Sequence, residues 1–144
     1  KNDIGEYYWL DSEFLKKHFE MLKDHIFIIN AIYDDTIISS SIFVHCGKQL
    51  HYLYSANDYN YNKYNGNSLI LYEAALWGKE NGFSFLHLGG ASRSENLMSF
   101  KLSFTKSDGL TYYIGTKIQQ KEIYDKIVKI SNKEGNEYFP EYRG

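Results

Sequence analysis

Residues 26–55 carry three β-rich runs joined by short turns, and no other feature restricts the chain more. Ile26 to Tyr33 is apolar and β-branched, with Asp34-Asp35 following as a turn. Thr36 to His45 contains Ile37-Ile38-Ser39-Ser40-Ser41-Ile42-Phe43-Val44; Gly47-Lys48 makes the next turn, and Gln49 to Ser55 is the third run. Connections this short suit antiparallel neighbours, because a parallel crossover needs a dozen residues or more. The spacing therefore predicts an antiparallel meander.

Helical patterns flank it. Asp11 to His25 places Phe14, Leu15, Phe19 and Leu22 at amphipathic spacing, with Asp11 or Ser12 as N-cap. Ser68 to Glu80 is the clearest helix, with Asn67 as its expected cap and Asn81-Gly82 as its left-handed close. Phe83 to Leu88 is a nearly continuous apolar run, as a buried strand should be, and Gly89-Gly90 ends it. Glu95 to Thr105 reads as a short helix, Asp108-Gly109 as a turn and Leu110 to Ile118 as a strand. Gln120 to Asn132 reads as a final helix with Ile123, Ile127 and Ile130 on one face, before a tail from Tyr138. This order predicts an α/β (mixed α+β) fold: a mixed central sheet with an antiparallel N-terminal meander and helices on both faces. No repeat or linker divides the chain, so residues 1–144 are expected to form a single domain.

Composition removes several classes. With one cysteine, Cys46, there is no intrachain disulfide and no Cys/His metal knot, so no metal ligands are assigned. No apolar run reaches the length of a membrane span, and the N-terminus lacks a signal-peptide core, so a cytoplasmic protein is expected. A net charge of -2 argues against a generic nucleic-acid binder.

Three segments are able to carry chemistry. The first is the loop Asn57-Asp58-Tyr59-Asn60-Tyr61-Asn62-Lys63-Tyr64-Asn65-Gly66-Asn67, just before the central helix. Free amides at a helix start favour an anionic group, and Lys63 adds charge. Tyr61 and its asparagine neighbours suit hydrogen bonding and stacking on a ligand; a solvated surface loop is the plain alternative. The second is Asn96–Phe104, where Leu97, Phe100 and Phe104 form a stripe flanked by Lys101. Two roles are open to Lys101: a positive group aimed at a developing oxyanion or phosphate, or a stem laid on apolar surface with its head in water. The third is Leu88-Gly89-Gly90-Ala91-Ser92-Arg93, where Arg93 suits a carboxylate or phosphate contact and a simple strand-ending turn is the alternative. His51 and His87 lie in strands and read as structural histidines. His45 and Cys46 are adjacent on a strand and point to opposite faces, so no thiol mechanism is assigned.

Taken in order, the helix from Asn67 to Gly82, the Leu88-Gly89-Gly90 turn, the Phe100-Lys101-Leu102-Ser103-Phe104 word and the Tyr138-Phe139-Pro140-Glu141-Tyr142-Arg143 tail resemble the FemABX-like branch of the GNAT acyltransferase superfamily. These are peptidoglycan-bridge aminoacyltransferases and their acetyltransferase-like relatives. The resemblance implies a GNAT fold whose central strands splay to admit an acyl donor, and acyl transfer to an amine without a covalent enzyme intermediate. It implies a catalytic Phe100-Lys101 word, with Lys101 near the acyl carbonyl. It also implies donor binding by the main chain of Tyr52, Leu53, Tyr54 and Ser55, and by Asn65, Gly66 and Asn67 at the helix start. No permanently bound cofactor is implied; acetyl-CoA or aminoacyl-tRNA is the expected co-substrate, and a small molecule or cell-wall precursor the acceptor. The group usually has two GNAT domains in tandem. The chain is therefore expected to be the C-terminal half of a longer protein, with an N-terminal GNAT domain as partner. One departure stands out: Lys63-Tyr64-Asn65-Gly66-Asn67 occupies the place of the Q/R-x-x-G-x-G/A word of acetyl-CoA users. A non-catalytic scaffold or ligand-binding domain is the alternative reading.

Overall fold

The computed structural model describes residues 10–91 and 94–143, which gather into two compact units, one running to Thr105 and one from Lys106 on. The first unit is built on a four-stranded sheet in the order β1-β2-β3-β4. Strands β1 (Ile26–Tyr33), β2 (Thr36–Cys46) and β3 (Gln49–Asn57) form the expected antiparallel meander. Strand β4 (Phe85–His87) returns through a helix and pairs with β3 in parallel.

Helix α1 (Ser12–Leu22) starts where the capping chemistry predicts: Asp11 Oδ1 accepts from the Phe14 N–H at 2.6 Å. Helix α2 (Gly66–Glu80) packs on the sheet and ends before Gly82, whose φ of +77° supplies the left-handed close. Its start differs from expectation. The N-cap is Asn65, in the left-handed region at φ 51°, and Asn67 lies inside the first turn. An αL conformation is tolerated by asparagine and leads the chain directly out of a short 3-10 turn over Tyr59–Tyr64.

The core of this unit joins β2, β3 and α2 through Phe43, Leu50, Ile70, Leu71 and Ala74, all essentially without exposed surface. Each large apolar side chain so buried contributes about 1.5–3 kcal/mol. Tight approach of helix to sheet requires Gly66: a Cβ there would lie 2.9 Å from Ser39 Cβ and 3.3 Å from Ala31 Cβ. Helix α3 (Glu95–Leu102) is capped by Ser94, and its Phe100 packs against the core.

The second unit contains helix α4 (Lys121–Ser131) and a 3-10 turn over Glu141–Arg143. Tyr124 organises it: its ring meets Phe139 and Tyr142, and its hydroxyl receives the Glu141 N–H at 3.0 Å. Two expectations are corrected in this unit. The run Leu110 to Ile118 forms no strand; Leu110 is 97% and Tyr113 85% exposed. β-propensity expresses the fit of a side chain to a pleated, half-buried surface, and these side chains face water. On α4 the buried residue is Val128, whereas Ile130 is 83% exposed.

Candidate functional site

Pairing between β3 and β4 covers only Gln49–His51 against Phe85–His87. From Tyr52 to Asn57, β3 keeps its β2 partner and has no β4 partner, so the two strands part at the His51↔His87 rung. A register shift between Ile42 and Phe43 pairs Ile42 with Tyr54 and Phe43 with Tyr52, leaving Leu53 as the extra residue. A bulge of this kind bends its strand and increases the local twist.

Beside the unpaired stretch of β3 lies a cleft of about 460 Å³ lined by β3, the Asn/Tyr turn, the start of α2 and one face of α3. Tyr52, Ser55, Tyr61, Asn65, Gly66, Asn67 and Phe100 from the sequence-based set meet there. Asn57, Asn62, Ser68 and Leu97 line it too. Leu53, Tyr54, Lys63 and Lys101 are outside the lining. Lys63 instead holds its Nζ 4.9 Å over the Tyr64 ring. Arg93 lies outside the described residues.

Asn67 holds the cleft wall together. Tyr52 and Ser55 hydroxyls each donate to its Oδ1 at 3.1 Å, and Ser41 Oγ approaches the same atom at 3.2 Å. An amide oxygen has two lone pairs. With both occupied, the Ser41 hydrogen is directed to Ser55 Oγ, also 3.2 Å away. Ser41 is fully buried, so this network replaces the water it would otherwise need. The signal for Ser41 was present in the sequence as the run Ser39-Ser40-Ser41 inside an otherwise apolar strand. No side chain among the described residues caps α2, and Asn65, Gly66, Asn67 and Ser68 at its start line the cleft with the positive pole of the helix behind them.

At the parting of the strands stands a second group of side chains. Lys101 Nζ donates to the Gly90 carbonyl at 2.6 Å, and partial burial holds its pKa below the ordinary lysine range. The head is thereby held at the Gly-Gly turn. His51 and His87 place their Nδ1 atoms 2.7 Å apart with rings 20° from parallel. Burial, then the neighbouring His87 and Lys101, hold His51 below the ordinary histidine range. Sequence reasoning set both histidines aside, since only the strand register brings them onto one rung.

A sequence profile for the acetyltransferase (GNAT) domain matches residues 6–101. No curated protein sequence matches the chain. Among solved structures the fold is similar to aminoglycoside acetyltransferase meta-AAC0020 from an uncultured soil metagenomic sample. In its complex with trehalose the identity is 13% and the TM-score 0.55, over 81% of this chain and 80% of that one. In its complex with sisomicin the identity is 13% and the TM-score 0.56, over 81% and 79%. At this identity the likeness concerns the fold.

Proposed function

The chain belongs to the GNAT acetyltransferase family, and from that premise we propose that it moves an acyl group from an acyl-CoA to an amine on a small, sugar-linked or cell-wall-precursor acceptor. The observation that carries this reading is the parting of β3 from β4. It leaves the main chain of Tyr52–Asn57 without a β4 partner beside a cleft closed at one end by the start of α2. An extended donor with amide groups can hydrogen-bond along that edge as a further strand would. Its phosphate end meets the uncapped amides of Gly66 and Asn67. Gly66 is a packing glycine as well, so the single glycine of this loop is accounted for by the closeness of Ser39.

Lys101 supports the acyl-transfer step. Its ammonium is fixed by Gly90 at the vertex where the strands separate, so no reorganisation is needed when charge develops on an acyl oxygen nearby. Phe100 supplies the adjacent wall. The name of the structural neighbours, an aminoglycoside acetyltransferase, favours an amino-sugar acceptor; a FemABX-like aminoacyl-tRNA donor is the competing donor class. The reading includes a cytoplasmic location and an N-terminal GNAT domain as partner. No helix among the described residues is long and apolar enough to cross a membrane.

The test is thermal unfolding with and without acetyl-CoA, paired with thiol release on addition of an amine panel. A ligand at a hundred times its Kd stabilises by about 2.7 kcal/mol, a clear upward shift. Lys101→Ala is expected to reduce turnover by about 10²–10³. Neither shift nor thiol at millimolar acetyl-CoA overturns the acyl-CoA reading, and turnover with aminoacyl-tRNA alone reassigns the donor.

A further inference from the structure

We propose that His51 takes the proton from the attacking amine and that His87 fixes the tautomer His51 needs for this. The inference rests on the acyl-transfer reading above and names the group that makes the acceptor nucleophilic.

The hydrogen bonds decide the tautomer. The Gly89 N–H donates to His87 Nδ1 at 3.3 Å, so that nitrogen carries a lone pair. His51 Nδ1 lies 2.7 Å from the same atom. Both contacts are met when His51 Nδ1 carries the hydrogen between the rings and the single lone pair of His87 Nδ1 is shared by the two donors. A neutral imidazole with its hydrogen on Nδ1 has its lone pair on Nε2, which makes Nε2 the basic atom of the pair.

The fold places His51 on the sheet face opposite the cleft. Tyr52 faces α2, as its contacts with Phe43 and Asn67 show. Side chains alternate along a strand, so His51 stands on the other face of the sheet. It also stands on the last β3–β4 rung, at the vertex of the opening. A donor stretched along the cleft brings its acyl carbon to that vertex, and an amine arriving from the far face passes His51. The titratable groups bearing on His51 are His87 from β4 and Lys101 from α3, while Val44 is its neighbour on β2. Burial, then the charges of His87 and Lys101, keep the ring unprotonated before the amine arrives, and the same influences drive the proton off again once it has been taken.

The step balances. The acceptor arrives as an ammonium, and His51 Nε2 takes one proton. The freed lone pair forms the C–N bond to the thioester carbonyl. The C–S bond breaks with its electrons on sulfur, and the thiolate takes the second proton lost by nitrogen. His51 then returns its proton to water.

The experiment compares wild type with His51→Gln and His87→Asn, using a primary alkylamine and hydroxylamine as acceptors. Hydroxylamine is already neutral near pH 7 and needs no base to deprotonate it. His51→Gln is expected to lose about 10²–10⁴-fold in turnover with the alkylamine. It should lose far less with hydroxylamine and keep the acetyl-CoA-induced thermal shift. His87→Asn is expected to move the acidic limb of the pH–rate profile. Long-range proton–nitrogen NMR of the wild-type chain should show neutral His51 protonated on Nδ1. Equal losses with both amines, or His51 protonated on Nε2, overturn the assignment. A wild type that releases no thiol with any amine overturns the acyl-transfer reading instead, and the NMR tautomer separates that failure from this one.

Discussion

The Tyr52 hydroxyl donates to Asn67 Oδ1 across 3.1 Å, and this contact ties the half of β3 that lacks a β4 partner to the first turn of α2. One wall of the cleft is thereby fixed by side chains where pairing with β4 has stopped. Replacing Tyr52 with Phe removes one donor and leaves Ser55 on the same acceptor, so a loss of about 0.5–1.5 kcal/mol is expected. Asn67→Leu takes the acceptor from two hydroxyls at once and should cost more, about 1–3 kcal/mol. Urea unfolding of the two variants checks the order; equal midpoints would contradict the shared-acceptor arrangement.

Gly66→Ala presses a methyl group to 2.9 Å from Ser39 Cβ. Alanine is ordinarily the better helix former, so propensity alone predicts a gain. Overpacking against a strand should win and cost about 1–3 kcal/mol. Combining it with Ser39→Gly should give a favourable coupling in a double-mutant cycle, and strict additivity would show that the two positions do not meet.

Gly89 has a φ of +72°, and a Cβ there would lie 3.4 Å from Lys101 Nζ. Gly89→Ala is expected to cost about 1–2 kcal/mol from the left-handed backbone. The added methyl meets the lysine head at ordinary van der Waals distance, so acyl transfer should change only through the lost stability. Activity measured well below the unfolding midpoint tests this; a folded but inactive variant would show that the turn's backbone itself sets the position of Lys101.

Stability should depend on pH through His51. Its folded pKa is lowered, so as pH falls into the ordinary histidine range the unfolded state takes up a proton before the folded state does. Uptake by the unfolded state favours unfolding. The contribution is constant above that range and is lost as pH falls toward the lowered folded value. The urea midpoint of the wild type is therefore expected to drop on acidification, and His51→Gln should flatten part of that drop. An unchanged slope in the variant would assign the dependence elsewhere.

The meander was legible because its turns are short and its runs β-branched; both are local signals, and β1 begins at Ile26 as expected. The Asn/Tyr loop was legible as a polar tract before an apolar helix, and the structure folds it as a 3-10 turn that brings Tyr61 and Asn62 to the cleft lining. The histidine pair was not legible. His51 and His87 are 36 residues apart, and only the parallel register sets them side by side. Lys101 was visible as a residue, but its hold on Gly90 depends on how α3 returns over the turn. The strand expected at Leu110–Ile118 shows the converse: tyrosine and isoleucine favour strands only where another strand offers a partner.

An unpaired strand edge has consequences beyond chemistry. From Tyr52 to Asn57 the amides and carbonyls on the β4 side of β3 have lost their neighbour. Such an edge is a template for any passing extended chain, including another copy of this one. The serine and asparagine near its end, Ser55 and Asn57, make it polar without closing it. A donor lying in the cleft would cover the edge, so its substrate would also serve as a guard against self-association. On the proposed function, colloidal behaviour and donor occupancy are linked, and the protein should cluster more readily without acetyl-CoA than with it.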